Sequence, residues 1–303
     1  MDLQVYNHLI QKIDEERVLL DEPMKKHTTF RVGGNADYFV MPKTVEEVKQ
    51  IVSLCKKENL PYYILGNGSN LLVGDKGYRG VIIQIYKEMN EITVDGDVVY
   101  AQAGALLSKV GSVAMEAELT GFEFAAGIPG TVGGAVVMNA GAYGGEMKDI
   151  LAYATVLTED GEVLRLSNEE LELGYRTSIV AKKNYIVLEA EYQLHVGDKR
   201  EIRAKMDELK TQRVTKQPLE YPSAGSTFKR PTGYFAGKLI QDAGLRGFQV
   251  GGAQVSEKHC GFVINTGNAT AADIMELMKQ VSERVYEEFG VTLEPEVKRL
   301  GEF

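Results

Sequence analysis

Residues 125–145 read "AAGIPGTVGGAVVMNAGAYGG" and hold seven glycines in twenty-one positions, with no lysine, arginine or histidine among them. Gly127, Gly130, Gly133 and Gly134 tolerate positive φ and close backbone approach, and Pro129 stiffens the turn between them. With no cation in the stretch, recognition falls to backbone dipoles and to the side chains of Thr131 and Asn139. Such a surface suits a large planar ligand that supplies contact area, together with an anion held by N–H groups.

A second glycine loop lies upstream. "LGNGSNLLVG" at 65–74 runs out of the short apolar stretch "PYYIL", and Gly66, Gly68, Ser69 and Asn70 can turn successive N–H groups and short side chains toward a diphosphate. It is neither of the common nucleotide fingerprints: there is no G-x-x-x-x-G-K-[ST], and its G-x-G is not followed two residues later by a third glycine opening a helix. A flavin dinucleotide meets the needs of both loops.

Outward from the loops the chain reads as mixed α and β. The first twenty residues carry acids and bases throughout and read as an amphipathic surface helix, not a signal peptide. "HTTFRVGGNADYFVMP" predicts a turn and a strand ending at Pro42, and Thr44 with Glu47 three residues on predicts a capping box opening an amphipathic helix. "PYYIL" and "VIIQI" then read as strands. From Glu91 the period changes, and Asp95-Gly96 and Asp160-Gly161 each sit between alternating strands, which predicts two hairpins. A helix over "ALLSKVGSVAMEAEL" and the glycine-rich segment, read as a functional loop, lie between them; "YIVLEAEYQLHV" closes the section as a strand.

Beyond Gly197 a charged helix, "KREIRAKMDELKTQRVTKQ", leads through the proline-bounded loop "PLEYPSAGSTFKRPTG" to the strand "FVINTG". A helix capped by Thr270 and ended by Gly290 follows, and "VTLEPEVKRL" reads as a terminal strand. The expected division is a helix at 1–20, segments at 21–85 and 86–197, and a C-terminal α+β domain at 198–303.

With a net charge of -9 and a pI near 5.2, the chain has no general affinity for nucleic acid or anionic membrane. Cys55 and Cys260 form no C-x-x-C pair, which suits a reducing compartment and leaves no disulfide framework. His8, His27, His195 and His259 have no metal-ligand spacing, so no metal is expected. No run approaches the roughly 18 apolar residues of a membrane span. A cytoplasmic protein acting on a small molecule, with no obligate protein partner, is expected.

An acidic chain must meet an anionic ligand through a local reversal of charge. Between Lys210 and Ile240 the basic residues are Lys210, Arg213, Lys216, Lys229, Arg230 and Lys238, and Glu220 is the only acid. Arg213, Lys216, Lys229 and Lys238 are the candidates for a sugar-nucleotide diphosphate, with Gln254 as a further polar contact.

Taken together, "GNGSNLL", "AAGIPGTVGGAVVMNAGAYGG", "GYRTS", "AGSTFKRP" and "LEPEV" occur in the order found in the UDP-N-acetylenolpyruvoylglucosamine reductase (UDP-N-acetylmuramate dehydrogenase) family, which this chain resembles from about residue 27 to its end. The length resembles the shorter class, which lacks an inserted tyrosine loop. The resemblance implies an α+β fold: a two-part FAD-binding unit of the vanillyl-alcohol-oxidase type with a separate C-terminal substrate-binding domain. It implies noncovalent FAD, lined by Gly66, Asn67, Gly68, Ser69 and Asn70 and by Gly127, Ile128, Pro129, Gly130, Thr131, Gly133, Gly134, Asn139 and Ala140. NADPH is the implied reductant and UDP-N-acetylglucosamine enolpyruvate the implied substrate, with Tyr175 among its contacts.

Three catalytic residues are implied: Arg176, Ser226 and Glu296. Their types suit hydride addition to an enolpyruvyl group, which leaves negative charge beside a carboxylate. A guanidinium pairs with that carboxylate in a fork, a positioned hydroxyl protonates the carbanionic centre, and a glutamic acid kept protonated in a dry pocket donates a hydrogen bond to the developing dianion. The competing readings are an FAD-dependent alcohol oxidase, which lacks a covalent anchor and a nearby His or Tyr base here, and a sugar-nucleotide binding protein without redox activity.

Overall fold

In the computed structural model, which describes residues 2–303, both Asp-Gly turns close hairpins. Gly96 and Gly161 sit at φ +58° and +85°, conformations that cost glycine no side-chain strain. These hairpins supply four strands of a five-stranded antiparallel sheet in the order Val163–Ser167, Leu151–Leu157, Ile186–Gln193, Val98–Gln102, Ile92–Asp95. Its register lines Leu166, Ala154, Ala190, Ala101 and Ile92 in one row across the sheet. Three adjacent alanines in that row leave room for a helix to approach closely.

The chain divides into two units, each assembled from three segments. The first comprises Met1–Leu19, Tyr38–Asn67 and Val81–Arg213, the second Leu20–Asp37, Gly68–Gly80 and Val214–Phe303. This interleaving differs from the contiguous division expected from composition, and the charged helix near residue 200 falls almost wholly in the first unit.

The first unit carries helices α1 (Leu3–Ile10), α2 (Val45–Lys57), α3 (Leu107–Glu116), α4 (Val132–Met138), α5 (Ile179–Lys182) and most of α6 (Lys199–Lys216). Their apolar faces and the five-stranded sheet enclose one core, with Leu9, Ile51, Val110, Val136 and Tyr192 fully or almost fully buried. Within this unit Tyr62–Leu65 also pairs in parallel with Val81–Gln84, Tyr62 opposite Val81 and Leu65 opposite Gln84.

The helix expected over the first twenty residues stops at Ile10, and a 3₁₀ turn at Glu15–Arg17 leads into the strand at Val18. The guanidinium of Arg17 fixes that turn, donating to Glu47 at 2.6 and 2.8 Å and to Asp14 at 2.9 Å. Only half of the capping box at α2 forms. The Thr44 hydroxyl accepts the Glu47 N–H at 3.1 Å, while the Glu47 carboxylate turns to Lys43 N and Arg17.

The second unit packs α7 (Ala236–Asp242) and α8 (Ala271–Phe289) with a three-stranded antiparallel sheet of Gln249–Val250, Ala253–Val255 and Val263–Asn265. Thr270 and Asp273 form a full capping box on α8, and Gly290 ends it at φ +66°. The expected terminal strand is shorter than its apolar pattern: only Lys298–Leu300 is a strand, parallel to Leu71–Val73. Pro295, which lacks an N–H to extend a ladder, stands before it. Among the described residues no helix is long and apolar enough to cross a membrane.

Candidate active site

The glycine-rich segment is not a loop throughout, because residues Val132–Met138 form α4. Glycine is a poor helix former, so tertiary partners hold the helix: Val132 N donates to Ala105 O at 2.9 Å and Gly133 N to Ala103 O at 2.8 Å. A Cβ on Gly133 would stand 3.1 Å from the Ala103 methyl, so the glycine is what permits the approach. The two polar side chains expected to face a ligand cap this helix. Thr131 receives the Gly134 N–H at 3.5 Å, and Asn139 closes the other end at φ +44°. Asn139 is 1% exposed, donates to Glu146 Oε2 at 3.0 Å and Gly174 O at 3.2 Å, and accepts Lys148 N at 2.9 Å.

Within the first unit the two glycine-rich loops meet. Asn67 Nδ2 donates to Pro129 O at 2.9 Å, and a Cβ on Gly66 would lie 2.4 Å from Thr131 Oγ1. Arg213, half-buried, donates to Gly127 O, and burial pushes its guanidinium below the usual arginine value. The "GYRTS" turn is tied to α4 as well, since Gly174 O accepts from Asn139 and Ser178 Oγ donates to Val137 O at 2.8 Å. Gly174 and Thr177 exchange both backbone hydrogen bonds, at 3.1 and 3.2 Å, and hold Arg176 at φ +56°. Its neighbour Tyr175 is 54% exposed, with the guanidinium carbon 5.2 Å from the ring centroid. Ser178, fully buried and capping α5, is a positioning residue that the sequence reading missed; its signal is a serine three residues before Ala181, whose N–H it accepts at 3.2 Å.

The second unit brings Ser226 and Glu296 together through Thr227. Glu296 N donates to Thr227 O at 2.8 Å and Lys229 N to Glu294 O at 2.8 Å, with Phe228 opposite Pro295. Ser226 is exposed beside the fully buried Thr227. From the loop at 65–74, Asn70 Nδ2 donates to Glu296 O at 3.2 Å and Asn70 O accepts Lys298 N at 3.0 Å. Gly68 needs its lack of a side chain: at φ +63°, a Cβ would stand 2.0 Å from His27 O.

The basic run is less positive in space than in sequence. Lys229 pairs with Glu294, and Lys238 pairs with Asp242 at 2.6 Å, both acids lying outside the run. Lys216 is exposed, and Gln254 Nε2 donates to Gly247 O at 3.3 Å. Arg213 belongs to the first unit and Lys216, Lys229, Lys238 and Gln254 to the second.

The residues present fit a flavin dinucleotide. The loops exclude Cβ atoms at Gly66 and Gly68, Gly134 is exposed in the first turn of α4, and the backbone N–H groups of Asn67, Gly68 and Ser69 have no acceptor among the described residues. Donors without partners beside a bare backbone are what a diphosphate requires.

Comparison with known proteins agrees. Residues 36–167 match the FAD binding domain and residues 217–300 match "UDP-N-acetylenolpyruvoylglucosamine reductase, C-terminal domain". The UDP-N-acetylenolpyruvoylglucosamine reductase of Clostridioides difficile (strain 630) is 54% identical over 298 residues, covering 98% of each chain. That of Geobacillus kaustophilus (strain HTA426) is 54% identical over 299 residues, 99% of this chain and 98% of its own. The crystal structure of the Thermus caldophilus reductase superposes with a TM-score of 0.80 at 38% identity, covering 93% of this chain and 98% of that one. An alkyldihydroxyacetonephosphate synthase at 16% identity shares the fold alone, with a TM-score of 0.50 over 65% of this chain and 41% of its own.

Proposed function

The chain belongs to the UDP-N-acetylenolpyruvoylglucosamine reductase family, and from that premise we propose how its own residues divide the work of reducing UDP-N-acetylglucosamine enolpyruvate to UDP-N-acetylmuramate for peptidoglycan. The enzyme is an FAD-dependent oxidoreductase. Bound FAD, reduced by NADPH, supplies hydride to the methylene carbon of the enolpyruvyl group.

The remaining chemistry falls to side chains. Arg176 pairs with the substrate carboxylate and offsets the charge that develops beside it. Ser226 gives its hydroxyl proton to the adjacent carbon. Glu296, in its protonated form, donates a hydrogen bond to the developing dianion. The observation that supports this reading is the backbone bond from Glu296 N to Thr227 O, which makes the segments of exposed Ser226 and half-buried Glu296 neighbours. Gly66 to Asn70 and Gly127 to Gly134 line the cofactor, with the backbone N–H groups of Asn67, Gly68 and Ser69 meeting its diphosphate and Asn139 and Ala140 shaping the end of α4. Tyr175, Arg213, Lys216, Lys229, Lys238 and Gln254 meet the sugar nucleotide. The two cysteines, both buried and unpaired, support a cytoplasmic location.

Anaerobic spectroscopy of the purified protein tests the reading. Yellow colour bleached by NADPH and restored by the enolpyruvyl substrate is the expected result. Ser226→Ala leaves bleaching intact and slows restoration at least a hundredfold, the scale of a lost general acid. Equal loss in both halves removes Ser226 from its role.

A further inference from the structure

His259 has no part in the reaction as described, yet it stands at the foot of the support for Ser226. Thr227 is fully buried and each of its polar groups has a partner. Its N–H donates to Gly261 O at 2.9 Å, its hydroxyl accepts Val263 N at 2.9 Å, and its carbonyl accepts Glu296 N at 2.8 Å. Gly261, which fixes the N–H side of Thr227 next to Ser226, in turn donates its own N–H to His259 Nδ1 at 3.0 Å.

The imidazole has little room to turn away. Its ring stands edge-on to Phe262 with centroids 5.0 Å apart, and a Cβ on Gly237 of α7 would come 3.2 Å from its Cε1. Ser256 Oγ accepts the N–H groups of Lys258 and His259, both at 3.2 Å, and Phe262 N donates to His259 O at 3.0 Å, so the turn is closed on itself.

We propose that His259 is a positioning residue for Ser226, acting through the hydrogen-bonded path His259–Gly261–Thr227. Accepting at Nδ1 requires the neutral ring with its proton on Nε2. Protonation sets one N–H against another and releases Gly261. Burial favours the neutral ring and lowers its pKa from the ordinary histidine value. The charged and titratable groups on the elements around it are Lys238 and Asp242 of α7, paired with each other, and Glu257, Lys258 and Cys260 of its own turn, with Arg246 donating to Glu257 O. The inference rests on Ser226 as the proton donor.

Two variants of the full-length holoenzyme test it. His259→Asn puts an amide oxygen where Nδ1 stands and cannot titrate; His259→Leu keeps bulk without an acceptor. In the wild-type protein, the amide NMR signals of Gly261 and Thr227 move with the titration of the His259 ring. Flavin reoxidation by the enolpyruvyl substrate falls with the same midpoint on the acid side, while reduction by NADPH does not follow it. His259→Asn abolishes both dependences and keeps neutral-pH reoxidation within about threefold of wild type; His259→Leu slows reoxidation about tenfold, the scale of one hydrogen bond. Amide signals indifferent to the His259 titration, or an acid limb that survives in His259→Asn, overturn the proposal. The amide signals report the path without any turnover, so its failure is distinct from a failure of Ser226, which Ser226→Ala reports.

Discussion

Replacing Gly66 with alanine probes the contact that joins the two glycine-rich loops. The new Cβ would lie 2.4 Å from Thr131 Oγ1, and ordinary contact begins at 3.4 Å, so the loop and the threonine must part by about 1 Å. Thr131 has no slack, being 2% exposed with its hydroxyl on Gly134 N and its carbonyl on Ala135 N at 2.9 Å. Rotating it away loses the cap of α4, about 1 kcal/mol, and residual overpacking adds about 1–3 kcal/mol. The sum, roughly 2–4 kcal/mol, is a large fraction of a typical domain's stability. A loop displaced by about 1 Å also misplaces N–H donors, and losing one charge-assisted bond weakens FAD binding by at least about tenfold. The assay is a double-mutant cycle in urea with circular dichroism, flavin occupancy being read from absorbance. In a Thr131→Ala background the clashing oxygen is gone, and the cost of Gly66→Ala falls by at least about 1 kcal/mol. Strictly additive costs, or a Gly66→Ala enzyme with full flavin and an unchanged midpoint, would refute the argument.

Three further outcomes follow from single residues. Arg176→Lys keeps charge and loses the fork, so stopped-flow reoxidation by substrate should drop at least about tenfold with flavin reduction unchanged; normal turnover means that the bidentate geometry is not used. Gly290→Ala meets nothing within 4 Å, so only its φ of +66° opposes the change, and urea unfolding should show a loss of about 1 kcal/mol with kcat intact. Glu47 is 15% exposed and held by Arg17, which lowers its carboxyl below the usual 4.5. A carboxyl lowered in the folded state contributes stability at neutral pH that is lost as pH falls from 4.5 through its folded value. Arg17 keeps Asp14 as a partner, so Glu47→Gln should cost about 2 kcal/mol at pH 7, the scale of a hydrogen bond to a charged group, and flatten the acid slope of the urea midpoint between 4.5 and the folded value.

What could be read in the sequence was local. The Asp-Gly hairpins and the Thr270–Gly290 helix need only residues a few positions apart, and they form where turn and cap chemistry put them. What escaped was decided at long range. The helix α4 runs against glycine's own preference and exists because Ala103 and Ala105 take its first N–H groups; no reading of residues 125–145 alone contains those acceptors. The basic run between Lys210 and Ile240 loses part of its charge to Glu294 and Asp242, one of them 65 positions from its partner. Local composition gave no sign that Leu20–Asp37 and Gly68–Gly80 fold with the C-terminal segment.

The candidate site divides along the same line. Arg176, Ser226 and Glu296 carry no local signature, because a lone arginine, a serine after glycine and a glutamate near a chain end are ordinary surface residues; only the order of five motifs singled them out. Their supports were invisible for the opposite reason. The Ser178 hydroxyl donates to a carbonyl 41 positions away and the Thr227 carbonyl accepts an N–H 69 positions away; the His259 ring accepts an N–H only 2 positions on, but that bond matters only because Gly261 holds Thr227, 34 positions back. A side chain that presents chemistry can be exchanged for its likeness in a motif, whereas one that fixes another residue's backbone is defined by its partner. Thr227 makes the difference concrete. Thr227→Val would retain shape and β-branching, lose only the acceptor for Val263 N, and still leave both backbone bonds, to Gly261 and Glu296, in place. Ser226 geometry should therefore survive that change better than the loss of the His259 acceptor, which frees the N–H of the residue whose carbonyl holds Thr227 N.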